Sequence, residues 1–199
     1  DRRQRQMCIR DSGNDSAKVA ALSQKVLDGL HEENVYGVIK HFPGHGATAG
    51  DTHEGYAYTD KSLEELEQQE LVPFQNAIEN HIAIIMAGHI SVPNVTGDNT
   101  PSSLSKIMIT DVLREKMGFD GIVITDALNM GAISQHYSSA EVSVRVIEAG
   151  GDMLLMPENF QEAYQGILEA VQNGTLTEER IDESVRRILK VKEKLTAED

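Results

Sequence analysis

Sixteen consecutive residues, KHFPGHGATAGDTHEG at positions 40 to 55, hold one lysine, three histidines, one aspartate and one glutamate. Three kinds of chemistry use such a set. His41, His45, His53 and Asp51 have the donor atoms for a zinc site. Yet His41 and His45 flank Pro43-Gly44, a turn, rather than standing four apart on a helix, and no cysteine is nearby. Phosphate cradling is the second possibility, but Gly44, Gly46 and Gly50 match neither the Walker loop nor the dinucleotide fingerprint. The third is acid/base work by Asp51-Thr52-His53. Residues two apart in an extended loop can face the same way. A carboxylate bonded to one ring nitrogen then fixes the tautomer and raises the basicity of the other. A surface loop pair without a chemical role would read the same. A further carboxylate, Asp126, ends the apolar run GIVIT. It suits a second catalytic group, and equally a helix N-cap.

The elements that must carry these groups alternate between two periods. SAKVAALSQKVLDGLHEE (16 to 33) has helical apolar spacing, and VYGVIKHF (35 to 42) reads as a buried strand. SLEELEQQELVPFQNAIEN (62 to 80) begins with the Ser62/Glu65 capping box, and Pro73 divides it or kinks it. IAIIMAGH (82 to 89) is a second strand, residues 102 to 118 a helix closing on Gly118, and GIVITD (121 to 126) a third strand. A helix over 139 to 150, a fourth strand in GDMLLMP (151 to 157), and amphipathic helices over 160 to 174 and 177 to 195 complete the pattern. Strands apolar on both faces point to a covered parallel sheet in an α/β fold. Lys40 and His41, His89 and Asp126 all fall at strand ends, as do Met156 and Pro157. In a parallel barrel these ends open on one face. The expectation is an incomplete (β/α)8 TIM-type barrel of four C-terminal strand–helix units. A doubly wound open sheet would instead gather ligands at one switch point.

The 199 residues are 40% hydrophobic and 25% charged, ordinary globular composition. A net charge of −14 argues against nucleic acid or an anionic membrane as partner, and no apolar run is long enough to span a bilayer. Residues 2 to 12, RRQRQMCIRDS, are basic, unpatterned and unlike the acidic remainder. They read as the translation of a transposon-end adapter used in sequencing libraries. We therefore expect residues 1–12 to be a non-native scar and residues 13–199 to be the C-terminal half of the domain, with any export signal or upstream domain lying before it. Cys8, the only cysteine, falls in that segment, so no disulfide or thiol chemistry is expected.

KHFPGHG followed by DTH, then MAGHISVP, TPSSLS and GFDGIVITDALNMGAI, in this order, resembles the family 3 glycoside hydrolases, within them the β-N-acetylhexosaminidase branch. The resemblance runs from about Ser16 to the end of the chain. It implies retaining hydrolysis of terminal β-linked N-acetylglucosamine through a glycosyl-aspartate. Asp126 matches the nucleophile, His53 the general acid/base and Asp51 its orienting carboxylate. Lys40 and His41 match residues that hold sugar hydroxyls, with Met130 in the ITDALNM motif as a further substrate contact. His89 lines the pocket, with a buried structural histidine as the alternative. His45 holds the loop. No cofactor and no metal are implied. The implied partner is an N-acetylglucosamine-containing oligosaccharide, chitin-type or muropeptide. Compartment stays open between bacterial cytoplasm and export. After GHG the branch shows aspartate and a small hydroxyl residue, where this chain has Ala47-Thr48. Arg10 matches an upstream sugar-binding arginine only superficially, because it falls in the expected scar. The rival readings are a glycoside phosphorylase, a β-glucosidase of the same family and a sugar-binding module without turnover. The isolated 199 residues are expected to be inactive.

Overall fold

A computed structural model of the chain describes residues 13–46, 48 and 57–196. Helix α1 (Ser16–Glu32) starts where the Asp15 side chain accepts the Lys18 amide. Strand β1 (Val38–Phe42) follows, then the short β2 (Ala57–Tyr58). The segment divided by Pro73 forms two helices, α2 (Leu63–Gln68) with the expected Ser62/Glu65 capping box, and α3 (Val72–Glu79) with the proline in its first turn. Strands β3 (Ile84–Ala87) and β4 (Ile90–Ser91) lead to the one-turn α4 (Pro93–Thr96). A 3-10 turn (Ser102–Leu104) precedes a helix wound as a π-helix over Ile107–Lys116, which stops before Gly118 at φ +76°. Strand β5 (Ile122–Thr125), α5 (Gly131–Ser134), α6 (Ser139–Ala149), α7 (Phe160–Gln172) and α8 (Glu178–Thr196) complete the order.

The main sheet is parallel, in the order β1-β3-β5. Val38 pairs with Ile84 and Ile84 with Ile122, and at the other end Phe42 pairs with Ala87 and Ala87 with Thr125. A second parallel pair, β2 with β4, was not foreshadowed by the sequence, since neither run is long enough to show a period. The core lies between the sheet and α2, α3 and the π-helix. It includes Phe42, Leu66, Phe74, Ile85, Ile109, Leu113 and Val123, with Phe42 and Phe74 edge to face at 5.5 Å. A second cluster, Leu104, Leu128, Ile133, Val142 and Val146, packs beneath the segment that follows β5.

Two expectations need correction. Strand β1 is not buried on both faces: Val38 is 40% exposed, because among the described residues β1 has only β3 beside it and forms the sheet edge. Residues 151 to 157 do not form a fourth strand. They run parallel to β5, but the pairing reduces to one bridge, Ile124 with Met153. Side chains take over ladder positions: the Asp152 carboxylate accepts the Val123 amide, and the Thr125 hydroxyl accepts the Leu155 amide. A left-handed Met156 (φ +49°) then ends the extended run.

Asp152 anchors this end of β5. Its fully buried carboxylate accepts hydrogen bonds from Arg114 (2.6 Å), Arg187 (3.1 Å) and the Ser184 hydroxyl (2.7 Å), and Arg180 approaches to 3.7 Å. Burial pulls the Arg114 and Arg180 guanidiniums below their usual basicity, and Asp152 works against that pull. Arg114 also donates to the Gly150 carbonyl, tying the end of α6 to the π-helix. Among the described residues no helix is long and apolar enough to cross a membrane.

Candidate active site at the strand ends

Parallel pairing puts the C-terminal ends of β1, β3 and β5 side by side. The ladder continues past the strands, with the Gly88 amide donating to Phe42 O and the Asp126 amide to Ala87 O. His41, His89 and Asp126 are thereby brought together from three separate stretches of sequence.

Asp126 follows β5. Its Oδ1 accepts the amide of the next residue, Ala127, at 2.8 Å, a local turn that aims the carboxylate. Its Oδ2 lies 3.5 Å from His41 Nε2, with the side chains 21% and 24% exposed. That separation is an approach rather than a hydrogen bond. It leaves both groups able to engage a ligand hydroxyl or a reacting atom. Burial is the largest influence on the His41 ring and lowers its pKa to about 4. Asp126 pulls the other way, and Lys40, His45 and His89 add to the lowering. His41 is therefore a neutral imidazole near pH 7, able to donate from one nitrogen and accept at the other. The peptide bonds Lys40-His41 and Phe42-Pro43 are both cis. Lys40 is exposed on the same strand.

His45 stands edge to face with His41 at 5.7 Å. The Thr48 hydroxyl donates to the His45 carbonyl at 2.8 Å and lies 3.0 Å from His45 Nδ1. The residue at the point of departure from the family pattern thus holds the turn through His45. Asp51 and His53 lie outside the described residues, as do residues 1–12.

His89 is 1% exposed, and both of its ring nitrogens are used inside the protein. Nε2 lies 3.0 Å from the Ala127 carbonyl and Nδ1 lies 2.8 Å from the Ser103 hydroxyl. Of the two readings of His89, lining the pocket or standing as a buried structural histidine, the geometry fits the second, since both nitrogens are engaged inside the protein. Met130 is partly buried, and its amide donates to the same Ala127 carbonyl at 3.2 Å. Ser103 carried no role in the sequence reading. The only signal was the serine pair in TPSSLS: both serines are fully buried, and Ser102 donates to Ile90 O. Two clefts of about 420 and 330 Å³ lie elsewhere, one beside Leu71 and Met117 and one beside Tyr164 and Ile181. Neither is lined by Lys40, His41, His89 or Asp126. Among the described residues no three His, Cys, Asp or Glu side chains converge as a metal site would require.

Residues 2–191 match the model of the glycosyl hydrolase family 3 N-terminal domain. The chain belongs to glycosyl hydrolase family 3. Among its relatives is the β-N-acetylglucosaminidase/β-glucosidase of Cellulomonas fimi, 30% identical over 94% of this chain and 35% of that protein. The β-hexosaminidase LpqI of Mycobacterium tuberculosis is 35% identical over 92% of this chain and 48% of LpqI. Among solved structures, a family 3 β-N-acetylglucosaminidase from Paenibacillus sp. superposes with a TM-score of 0.92 at 36% identity. The match covers 96% of this chain and 37% of that one. The chain thus spans between about a third and a half of the length of these relatives. Its α/β fold with parallel strands is that of family 3 N-terminal domains.

Proposed function

We propose that this family 3 segment carries the nucleophile and acid/base of a retaining β-N-acetylhexosaminidase acting on terminal β-linked N-acetylglucosamine. The observation that carries the reading is Asp126: a carboxylate at the end of a parallel strand, one oxygen held by Ala127 N–H and the other facing the neutral His41 at 3.5 Å. Oδ2 attacks the anomeric carbon, and the bond to the leaving oxygen breaks as His53 gives that oxygen a proton. Neutral His53 then takes a proton from water, whose oxygen displaces Asp126 and restores the carboxylate. Asp51 orients His53 and favours its protonated form. An imidazole needs less tuning than a carboxyl acid, because its ordinary pKa of about 6.5 already lies near working pH. Lys40, His41 and Met130 hold the sugar. The substrate is an N-acetylglucosamine-containing oligosaccharide or muropeptide, and the reaction needs no cofactor.

The same reading makes residues 13–199 part of an incomplete (β/α)8 barrel, with three strands followed by the extended run 151 to 157 in the place of a fourth, and takes residues 1–12 as foreign although the family match begins at residue 2. The order β1-β3-β5 with a parallel bridge onward to Met153 supports that topology. The test is covalent labelling of the whole protein by a 2-fluoro sugar. Asp126→Asn should abolish the label, and persistent labelling of the variant would remove Asp126 from the nucleophile role.

A further inference from the structure

Three groups form a line behind Asp126: the Ala127 backbone, the His89 ring and the Ser103 hydroxyl. A carbonyl oxygen can only accept, so His89 Nε2, 3.0 Å from Ala127 O, carries the ring proton and donates it. In the neutral ring Nδ1 is then the acceptor, and it takes the Ser103 hydroxyl proton at 2.8 Å. Burial favours this neutral form, and the adjoining carbonyl and Asp126 only partly oppose it. Ala127 is therefore held at both ends. Its carbonyl accepts from His89 and from the Met130 amide, and its own amide donates to Asp126 Oδ1. Ser103 is itself fixed, because its amide donates to Gly88 O next to His89 in the chain.

We infer that Ser103 and His89 form a buried relay that aims the Asp126 carboxylate by immobilising Ala127. Both are positioning residues for the displacement at the sugar. The inference rests on the reading of Asp126 as nucleophile. The physical reason is rotational. If Ala127 turns, its N–H leaves Oδ1, and the carboxylate swings about its own side-chain bonds. Ser103 has a distinct part. Without its hydroxyl the Ala127 carbonyl still keeps the proton on Nε2, but Nδ1 loses its partner and the ring loses the contact that fixes its tilt. Neither side chain touches substrate, since His89 is 1% exposed and Ser103 is fully buried.

Two substitutions separate aiming from mere filling of space. Glutamine at position 89 can keep an N–H where Nε2 stood, whereas asparagine keeps only the Nδ1 side. In the whole protein, His89→Asn should slow 2-fluoro sugar labelling by about 10²-fold, as expected for a reacting group displaced by about 1 Å, with KM little changed. His89→Gln should stay within about tenfold of the parent, the smaller end of what supporting shells cost. Equal labelling rates for the two variants would overturn the relay. If His89→Asn does not fold, Ser103→Ala decides. 15N NMR should show His89 keeping its Nε2–H form while its Nδ1 signal moves to that of an unbonded acceptor, together with a slower labelling rate, and an unchanged rate would refute the role of Ser103. Undiminished labelling of Asp126→Asn would instead remove the nucleophile reading beneath the relay.

Discussion

Asp152→Ala tests the stability argument most severely. The carboxylate is fully buried, and Arg114, Arg180 and Arg187, each itself largely buried, converge on it. It also satisfies the Ser184 hydroxyl and the Val123 amide. Truncation would leave Arg114 and Arg187 without their counter-charge and Arg180 with only the half-exposed Glu183 at 3.8 Å. Hydrogen bonds to charged groups contribute about 1.5–3 kcal/mol each, but those around one carboxylate are not additive. Removing one partner of a buried ion pair costs about 3–5 kcal/mol, and we take that range. For a domain of this size each kcal/mol lowers Tm by about 2–4 °C, so the expected drop is about 6–20 °C. The internal control is Lys190→Ala. Its ion pair with Asp120 is as short, at 2.9 Å, but both side chains are more than 60% exposed. Exposed pairs contribute about 0–1 kcal/mol. Thermal and urea unfolding followed by circular dichroism would measure both variants. If Asp152→Ala falls within about 1 kcal/mol of Lys190→Ala, the account of a stabilising buried hub is wrong.

Further expectations concern the site and the turns. His41, with its folded pKa lowered from 6.5 to about 4, should show no NMR titration step between pH 8 and 6. Between pH 6.5 and 4 the unfolded chain binds the extra proton and the folded one does not, so His41 makes the fold less stable as pH falls through that window. A His41 midpoint above 6 would contradict the burial argument. Gly150→Ala meets a left-handed backbone (φ +106°), and the added Cβ would lie 2.6 Å from the Thr110 hydroxyl. A loss of about 1–3 kcal/mol in urea unfolding is expected. His53→Ala should slow glycosides with poor leaving groups far more than activated aryl glycosides, measured as kcat/KM for the two classes. Equal slowing would count against an acid role.

The sequence made the parallel sheet legible because β3 and β5 are apolar on both faces, with His89 just past Gly88 after β3 and Asp126 directly after β5. It made His41 and Asp126 legible for the same reason, since a titratable group closing an apolar run must sit at a strand end. What it hid was relational. Val38 looks like a core residue, but its exposure depends on which strand stands beside it, and periodicity carries no neighbour information. Residues 151 to 157 are apolar enough for a strand, yet Asp152 and Thr125 side chains claim the ladder bonds from outside the local pattern. The Ser103 contact with His89 spans 14 residues and joins a loop to a strand end, so no spacing rule would find it. His89 looked like a pocket residue because its type and place matched His41, and only its two internal partners distinguish them.

Strand β5 separates two tasks. Its first half is bonded to the Asp152 hub, and its last residue leads directly into Asp126. Three residue steps at about 3.3 Å each keep the hub-bonded Val123 and Asp126 about 10 Å apart. Natural drift or laboratory evolution can therefore recut the rim for a new ligand while the anchor at the start of β5 goes on paying for the fold. A library confined to the less buried positions around these strand ends, Lys40 and Met130 among them, should lose fewer members to misfolding. One seeded around Arg114, Arg180 and Arg187 should lose most of them before any selection can begin.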